Sequence, residues 1–369
     1  MPSWYNVHMP SFQVRTPGCP YDCIVERGAI NRLSAAVPSK AGKLFVVTTQ
    51  DVWQLHGERL RASLDGRSLE TIFFPGKEEN KRITQVEALA EQMVKAGADR
   101  TSIVIAFGGG IVGDLGGFLA AIFMRGVPVI QVPTTLLAQV DAAIGGKTGA
   151  NLVAGKNLIG AFHQPLTVLV DPDVLATLPE REYRAGLYEV IKYGVISSPG
   201  LFERMARDAP KVMAKDPAIV EEIVAESVRI KAEVVSADEK EGGLRRILNY
   251  GHTIGHALEA ETDYQQFLHG EAVAFGMRAV THLSVLNGML DSTVAARMIG
   301  AIDTYGRIPA LDGIRAEALV ARLGSDKKTI QGKVHFVLAE AVGKVVVRSG
   351  IDPGLVREAT RMSLEELAA

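Results

Sequence analysis

Five short runs rich in β-branched and aromatic residues punctuate the first half of this chain: KLFVVTT (43–49), LETIFF (69–74), SIVIAFGGG (102–110), VPVIQVPTT (127–135) and LTVLVDP (166–172). Between them lie amphipathic stretches such as QVEALAEQMVKAG (85–97), whose apolar residues return at helical spacing. Strand alternating with helix predicts an α/β half with a mostly parallel sheet covered by helices. After about Leu178 the pattern changes. EREYRAGLYEVIKYGVI, PAIVEEIVAESVRIKAEVVSADE and EAVAFGMRAVTHLSVLNGML repeat apolar residues at i, i+3, i+4 and i+7, which predicts a mainly α-helical half. The late runs VHFVLAE and KVVVRSG are expected to form a hairpin.

A chain of 369 residues has room for two domains, and 47% hydrophobic with 22% charged residues is a globular balance. The net charge of −2 excludes a global basic field, so neither nucleic acid nor an anionic membrane is an expected partner. No run approaches the length of a membrane span, and Met1–Pro17 lacks the basic and apolar regions of a secretory leader. A cytoplasmic protein is expected, with Cys19 and Cys23 as reduced thiols, because no second cysteine pair completes a metal site.

Chemistry concentrates in a few stretches. In SIVIAFGGGIVGDLGGFLAA a buried strand runs into three glycines and then a helix, expected to begin near Gly113-Asp114. Such a turn lets a phosphate approach the backbone and meet helix N-terminal N–H groups, so it predicts nucleotide binding. Asp114 beside a diphosphate would repel it and is better bonded to hydroxyls. The stretch 131–165 carries Asp141, Lys147, Asn151, Lys156 and Asn157 among glycines and apolar residues. Lysines in that setting predict a pocket for a phosphorylated or carboxylated substrate. In the helical half, Glu189 and Lys192 are spaced to share a helix face, and His252, His256 and His269 fall within 18 residues. One glutamate with two of these histidines is a familiar set for catalytic zinc. Lys327 and Lys328, taken alone, read as a solvated loop.

GGGxxGDxxGF, MRG, QVPTTLLAQVD, GGKTG, GKNLIGAF, EVIKYG, GHTxGHAxE, HGEAV and a late DKK occur here in order. With these motifs the chain resembles the 3-dehydroquinate synthases from about residue 22 to 350. The resemblance implies a Rossmann-like N-terminal domain and a helical C-terminal domain, with the site in the cleft and a homodimer common. It implies an enzyme of the shikimate pathway, using NAD and a divalent metal (Zn or Co), that converts 3-deoxy-D-arabino-heptulosonate 7-phosphate to 3-dehydroquinate and phosphate. Residues 1–20 are expected to be a flexible extension, 21–177 the NAD-binding domain and 178–369 the metal- and substrate-binding domain.

Carried over by motif, the resemblance makes Glu189, His252 and His269 the metal ligands, with His256 facing substrate. Asp141, Lys147, Asn157, Lys192, Lys231, Arg245, Asn249 and Lys327 fall where the family holds substrate, and Arg125 and Lys156 near its phosphate. For NAD the matching positions are Asp51, Glu78, Lys81, Gly109, Gly110, Asp114, Thr134, Thr135, Thr177, Leu178 and Glu182. Ala142, Ala143, Tyr188 and His163 depart from the usual pattern without removing a functional group. The nearest alternative is another sugar-phosphate cyclase; Lys231, Arg245, Asn249 and Lys327 favour a substrate bearing a carboxylate. A metal-dependent alcohol dehydrogenase would release NADH, and an idle NAD-binding sensor would release no phosphate.

Overall fold

The computed structural model describes residues 11–323 and 334–368. The chain divides into two compact units, Met1–Leu178 with Pro217–Lys240, and Pro179–Asp216 with Glu241–Ala369.

The first unit runs β1 (Ser11–Val14), β2 (Tyr21–Val25), α1 (Leu33–Ala36), β3 (Leu44–Thr48), α2 (Gln50–Ala62), β4 (Leu69–Phe73), α3 (Ile83–Lys95), β5 (Ile103–Gly108), α4 (Gly110–Ile122), β6 (Val129–Pro133), β7 (Lys147–Leu152), β8 (Gly155–Phe162) and β9 (Thr167–Val170). Seven strands form one sheet in the order β1-β2-β9-β6-β5-β3-β4, while β7 and β8 make a separate antiparallel hairpin. Every pair in the large sheet is parallel except β1–β2. Its central strands are buried at every position because both faces are covered. Phe45 and Val47 enter one core with Leu115 and Phe118 of α4, whereas Leu44 and Val46 enter the other with Leu60 of α2. The chain steps outward from β3 to β4 and returns to lay β5 on the other side of β3. Such a reversal opens a crevice at the carboxyl ends of the strands, where open α/β sheets bind ligands.

Two expectations need correction here. Ser11–Val14 is a paired strand, with Val14 opposite Tyr21, so the extension expected over 1–20 is ordered from residue 11. Residues 1–10 lie outside the description. The glycine-rich turn is also shorter than expected, since α4 begins at Gly110 rather than near Gly113-Asp114.

The second unit begins with α5 (Glu180–Ile196), α6 (Pro199–Arg207) and α7 (Ala209–Met213). Then α8 (Pro217–Ala237) returns to the first unit, which corrects the linear division drawn from the sequence. Its hydrogen bonds explain the return: Ser236 Oγ accepts from the Arg15 N–H at 2.8 Å, and Glu239 beyond the helix accepts from Gln164 at 2.8 Å. The second unit resumes with α9 (His252–Glu261), α10 (His269–Leu286), α11 (Ser292–Asp303), α12 (Ala316–Leu323), the antiparallel β10 (His335–Ala341) and β11 (Lys344–Ser349), and α13 (Pro353–Ala368).

Helix α10 is buried along nearly all its length, and close approach to its neighbours requires glycine at two points. A Cβ on Gly270 would sit 1.9 Å from the Ala185 carbonyl oxygen of α5, and one on Gly276 1.9 Å from that of Gly251. No helix among the described residues is long and apolar enough to cross a membrane.

Candidate active site and metal centre

In the second unit three elements bring a carboxylate and two imidazoles together. Glu189 lies in the middle of α5 with no exposed surface, His252 opens α9, and His269 opens α10. The start of α10 is fixed by Glu271, whose carboxylate accepts from the Leu268 N–H at 2.8 Å and from Arg181 at 2.7 and 2.8 Å. Glu189 Oε1 is 3.5 Å from His252 Nε2 and 3.6 Å from His269 Nε2. Those are long for hydrogen bonds, but ligand atoms about 2.1 Å from one tetrahedral ion stand about 3.4 Å apart. Neither Glu189 oxygen accepts a hydrogen bond of normal geometry among the described residues, although Lys192 forms an ion pair with Oε2. Burying a carboxylate this way is costly unless cations compensate it. The other ring nitrogens are engaged: His252 Nδ1 meets the Tyr250 carbonyl at 3.1 Å, and His269 Nδ1 lies 3.4 Å from Glu259 Oε2. That leaves the Nε2 lone pairs for a ligand role. The three residues fit a divalent cation.

His256 stands one turn along α9, its ring centroid 5.6 Å from that of His252 and 5.9 Å from that of His269. It could complete a second, overlapping set with Glu259 and His269. Lys192 and Arg245 are fully buried, an unusual state for cations on a helical surface. Asn249 Nδ2 donates to Glu241 Oε1 at 2.6 Å. Glu182 is exposed in the first turn of α5.

In the first unit the nucleotide candidates gather at the carboxyl ends of the strands. Gly109 and Gly110 join β5 to α4, Thr134 and Thr135 follow β6, and exposed Asp51 sits in the first turn of α2. Thr177 ends a 3-10 turn, with its hydroxyl 2.9 Å from His56 Nε2, and Leu178 follows. Glu78 starts another 3-10 turn, and Lys81 just beyond it is buried. Lys81 Nζ pairs with Asp114 of α4 and donates to Asn157 Oδ1 at 2.6 Å. Burial raises the Asp114 carboxyl from its ordinary range, while the Lys81 ammonium pulls it back down.

The substrate candidates of this unit lie on the hairpin and beside α8. Asp141 falls in a π-helical turn, Ala138–Ala142, and its Oδ1 is 2.7 Å from Lys231 Nζ of α8. Lys147 is exposed at the start of β7; Lys156 and Asn157 are on β8. Arg125 and Asn157 both hold left-handed backbone, φ 74° and 51°, a strained state for non-glycine residues that recurs at functional sites. Lys327 lies outside the described residues.

Three groups had no assigned role in the sequence reading: Asn151, Glu241 and Glu259. Glu259 carried a signal, since it follows His256 by three residues and so shares a face of α9 with it.

Residues 71–185 match the family model described as 3-dehydroquinate synthase N-terminal, and residues 186–329 match 3-dehydroquinate synthase C-terminal. The chain belongs to the 3-dehydroquinate synthase family. A relative from Solibacter usitatus named 3-dehydroquinate synthase is 60% identical over 96% of this chain and 100% of its own length. Another from Koribacter versatilis, with the same name, is 48% identical over 96% and 97%. Among solved structures, 2-epi-5-epi-valiolone synthase from Streptomyces hygroscopicus, with NAD+ and Zn2+ bound, has TM-score 0.84 and 28% identity, covering 94% of this chain and 97% of that one. A probable glycerol dehydrogenase from Sinorhizobium meliloti shares the fold alone, with TM-score 0.66 and 17% identity over 93% and 96%. Family membership agrees with the motif resemblance.

Proposed function

We propose that this chain catalyses the family's namesake reaction, converting 3-deoxy-D-arabino-heptulosonate 7-phosphate to 3-dehydroquinate and inorganic phosphate. The observation that carries the reading is the convergence of Glu189, His252 and His269 beside buried Lys192. The reaction comprises transient oxidation of an alcohol, β-elimination of phosphate, reduction, ring opening and intramolecular aldol closure. When bound, a Zn or Co ion would supply Lewis acidity to substrate hydroxyls and NAD a reversible hydride acceptor.

Glu189, His252 and His269 would hold the metal. The N-terminal N–H groups of α4 at Gly110 would favour the diphosphate of NAD, with Glu78, Lys81 and Asp114 assigned to its polar groups. The remaining NAD positions, Asp51, Thr134, Thr135, Thr177, Leu178 and Glu182, are assigned by motif. Arg125 and Lys156 offer positive charge to the departing phosphate, stabilisation that is strongest where water is excluded. Lys192, Arg245 and Asn249 are assigned to the carboxylate and hydroxyls of the substrate, as are Lys147, Asn157 and the Asp141–Lys231 pair. His256 would move the proton during ring opening, imidazole being a common general acid or base. Aldol closure gains from reacting ends that are already held together.

We further place the enzyme in the cytoplasm, where thiols such as free Cys19 and Cys23 stay reduced, and as a homodimer. The hairpin supports the dimer: Leu152, Leu158 and Phe162 are exposed on it, and Val153 at its tip is 93% exposed. Apolar strands without cover are surfaces that proteins pair or bury. A solution mass of one chain by light scattering would remove the dimer from the proposal.

The deciding experiment measures phosphate release from the heptulosonate phosphate by chelator-treated protein. Activity should require both added NAD and added Zn or Co. Release from sedoheptulose 7-phosphate but not from the heptulosonate would overturn the substrate.

A further inference from the structure

We propose that Asn151 is a positioning residue that sets the nucleotide-side and substrate-side groups of the first unit together. The inference rests on the reading above, in which Glu78 and Lys81 serve NAD and Asn157 serves substrate. Asn151 ends the buried part of β7 and is 6% exposed, although the next residues, Leu152 and Val153, face solvent. Its side-chain amide donates to Glu78 Oε1 at 2.7 Å and to the Glu78 carbonyl at 3.2 Å. Its side-chain oxygen accepts from the Asn157 N–H at 2.8 Å, and its own N–H donates to the Lys81 carbonyl at 2.7 Å. Lys81 Nζ then reaches Asn157 Oδ1 at 2.6 Å, which closes a ring of hydrogen bonds through Asn151, Asn157 and Lys81.

Both faces of this amide are therefore spent on groups with proposed ligand roles. An asparagine side chain offers donors at one end and an acceptor at the other, and here the two ends serve different ligands. The donor end aims the Glu78 carboxylate. The acceptor end holds the backbone of Asn157, whose left-handed φ of 51° needs such a tie to persist. Hairpin stability alone would not require contact with Glu78, which lies on a separate turn after β4. The isolated bridge between Arg82 and Asn151 places the two segments side by side.

The two ends can be tested separately. Asn151→Asp keeps an acceptor for the Asn157 N–H but sets a second carboxylate against Glu78. Its Kd for NAD, measured by calorimetry, should rise about tenfold or more, the cost of losing a hydrogen bond to a charged group. Its KM for the heptulosonate phosphate at saturating NAD should stay within about twofold, because that arm is intact. Asn151→Ala removes both arms, so both constants should rise. The proposal fails if Asn151→Asp binds NAD normally, or if Kd and KM move together in both variants. Unsubstituted protein that bound no NAD would instead overturn the nucleotide assignment, and this inference with it.

Discussion

Glu259 would act on the proposed metal centre through His269 rather than as one of the ligands Glu189, His252 and His269. Its carboxylate is buried, and Oε2 lies 3.4 Å from His269 Nδ1, the ring nitrogen on the far side from Glu189. A partner there fixes the tautomer of a ligating imidazole and raises its basicity, and losing it typically lowers metal affinity by about 10- to 100-fold. Glu259→Gln should therefore bind Co2+ more weakly in competition with a chelator, with the change read on the protein before substrate is added. Unaltered affinity would remove Glu259 from the centre. A second residue-scale outcome concerns the thiols. Burial pushes the Cys23 thiol well up, with the Asp22 charge adding to the effect, whereas Cys19 is exposed. A raised pKa keeps Cys23 protonated and unreactive across neutral pH, since the thiolate is the nucleophile. Alkylation of the folded protein should label Cys19 first, and labelling of Cys23 should await denaturation. Equal rates at the two positions would contradict the burial. Residue types were readable where charge sat among glycines and apolar residues, as with Lys147, Lys192 and His252. Asn151 was noted in its stretch without a role, and Glu241 and Glu259 were passed over, because their importance comes from hydrogen-bond partners that only the fold brings near.

At the scale of elements, α10 depends on how closely α5 and the start of α9 can approach it. Glycine at 276 lets a carbonyl oxygen occupy the space where any other side chain would begin. Gly276→Ala must move one helix away, a form of overpacking that costs about 1–3 kcal/mol. The shift should appear as a lower denaturant midpoint with unchanged slope, and an unshifted midpoint would mean the contact is easily relieved. Gly270→Ala tests the separate contact of α10 with Ala185 of α5, because displacing α10 from α5 there also separates His269 from Glu189. Several elements were plain in the sequence. Strands β3, β5, β6 and β9 are mostly apolar runs, buried at every position because both faces of the sheet are covered, and β10–β11 read as a hairpin. Others were hidden. Strands β7 and β8 carry glycine, asparagine and lysine that mimic a loop, and their order comes from pairing with each other. Strands β1 and β2 are too short for alternation to be distinctive. Helix α8 was legible as a helix, but its return to the first unit depends on partners such as Asp141 far back in the chain.

For the molecule as a whole, the fold by itself does not choose between a cyclase and a dehydrogenase. A glycerol dehydrogenase and an iron-containing alcohol dehydrogenase share the architecture, at TM-score 0.66 for each. The choice is made by side chains. A simple alcohol oxidation needs a hydride acceptor and an electrophile, and has no use for the buried cations Lys192, Lys231 and Arg245. Lys192 and Lys231 are compensated by Glu189 and Asp141, and it is the family's residue pattern across 71–185 and 186–329 that points to a phosphorylated, carboxylate-bearing substrate. Anionic substrate chemistry in turn fixes what NAD must do. If phosphate leaves only while the neighbouring carbon is oxidised, the hydride has to return before product is released, and NAD emerges unchanged. Under steady turnover, phosphate should accumulate with time while the near-ultraviolet absorbance of reduced nicotinamide stays flat after any initial rise. Phosphate release should then continue over many turnovers with NAD present at no more than the enzyme concentration. Reduced nicotinamide growing in step with phosphate would place this chain with the dehydrogenases in chemistry as well as in fold. Removing the metal should stop both signals together, because in this scheme oxidation precedes elimination and nothing downstream can proceed without it.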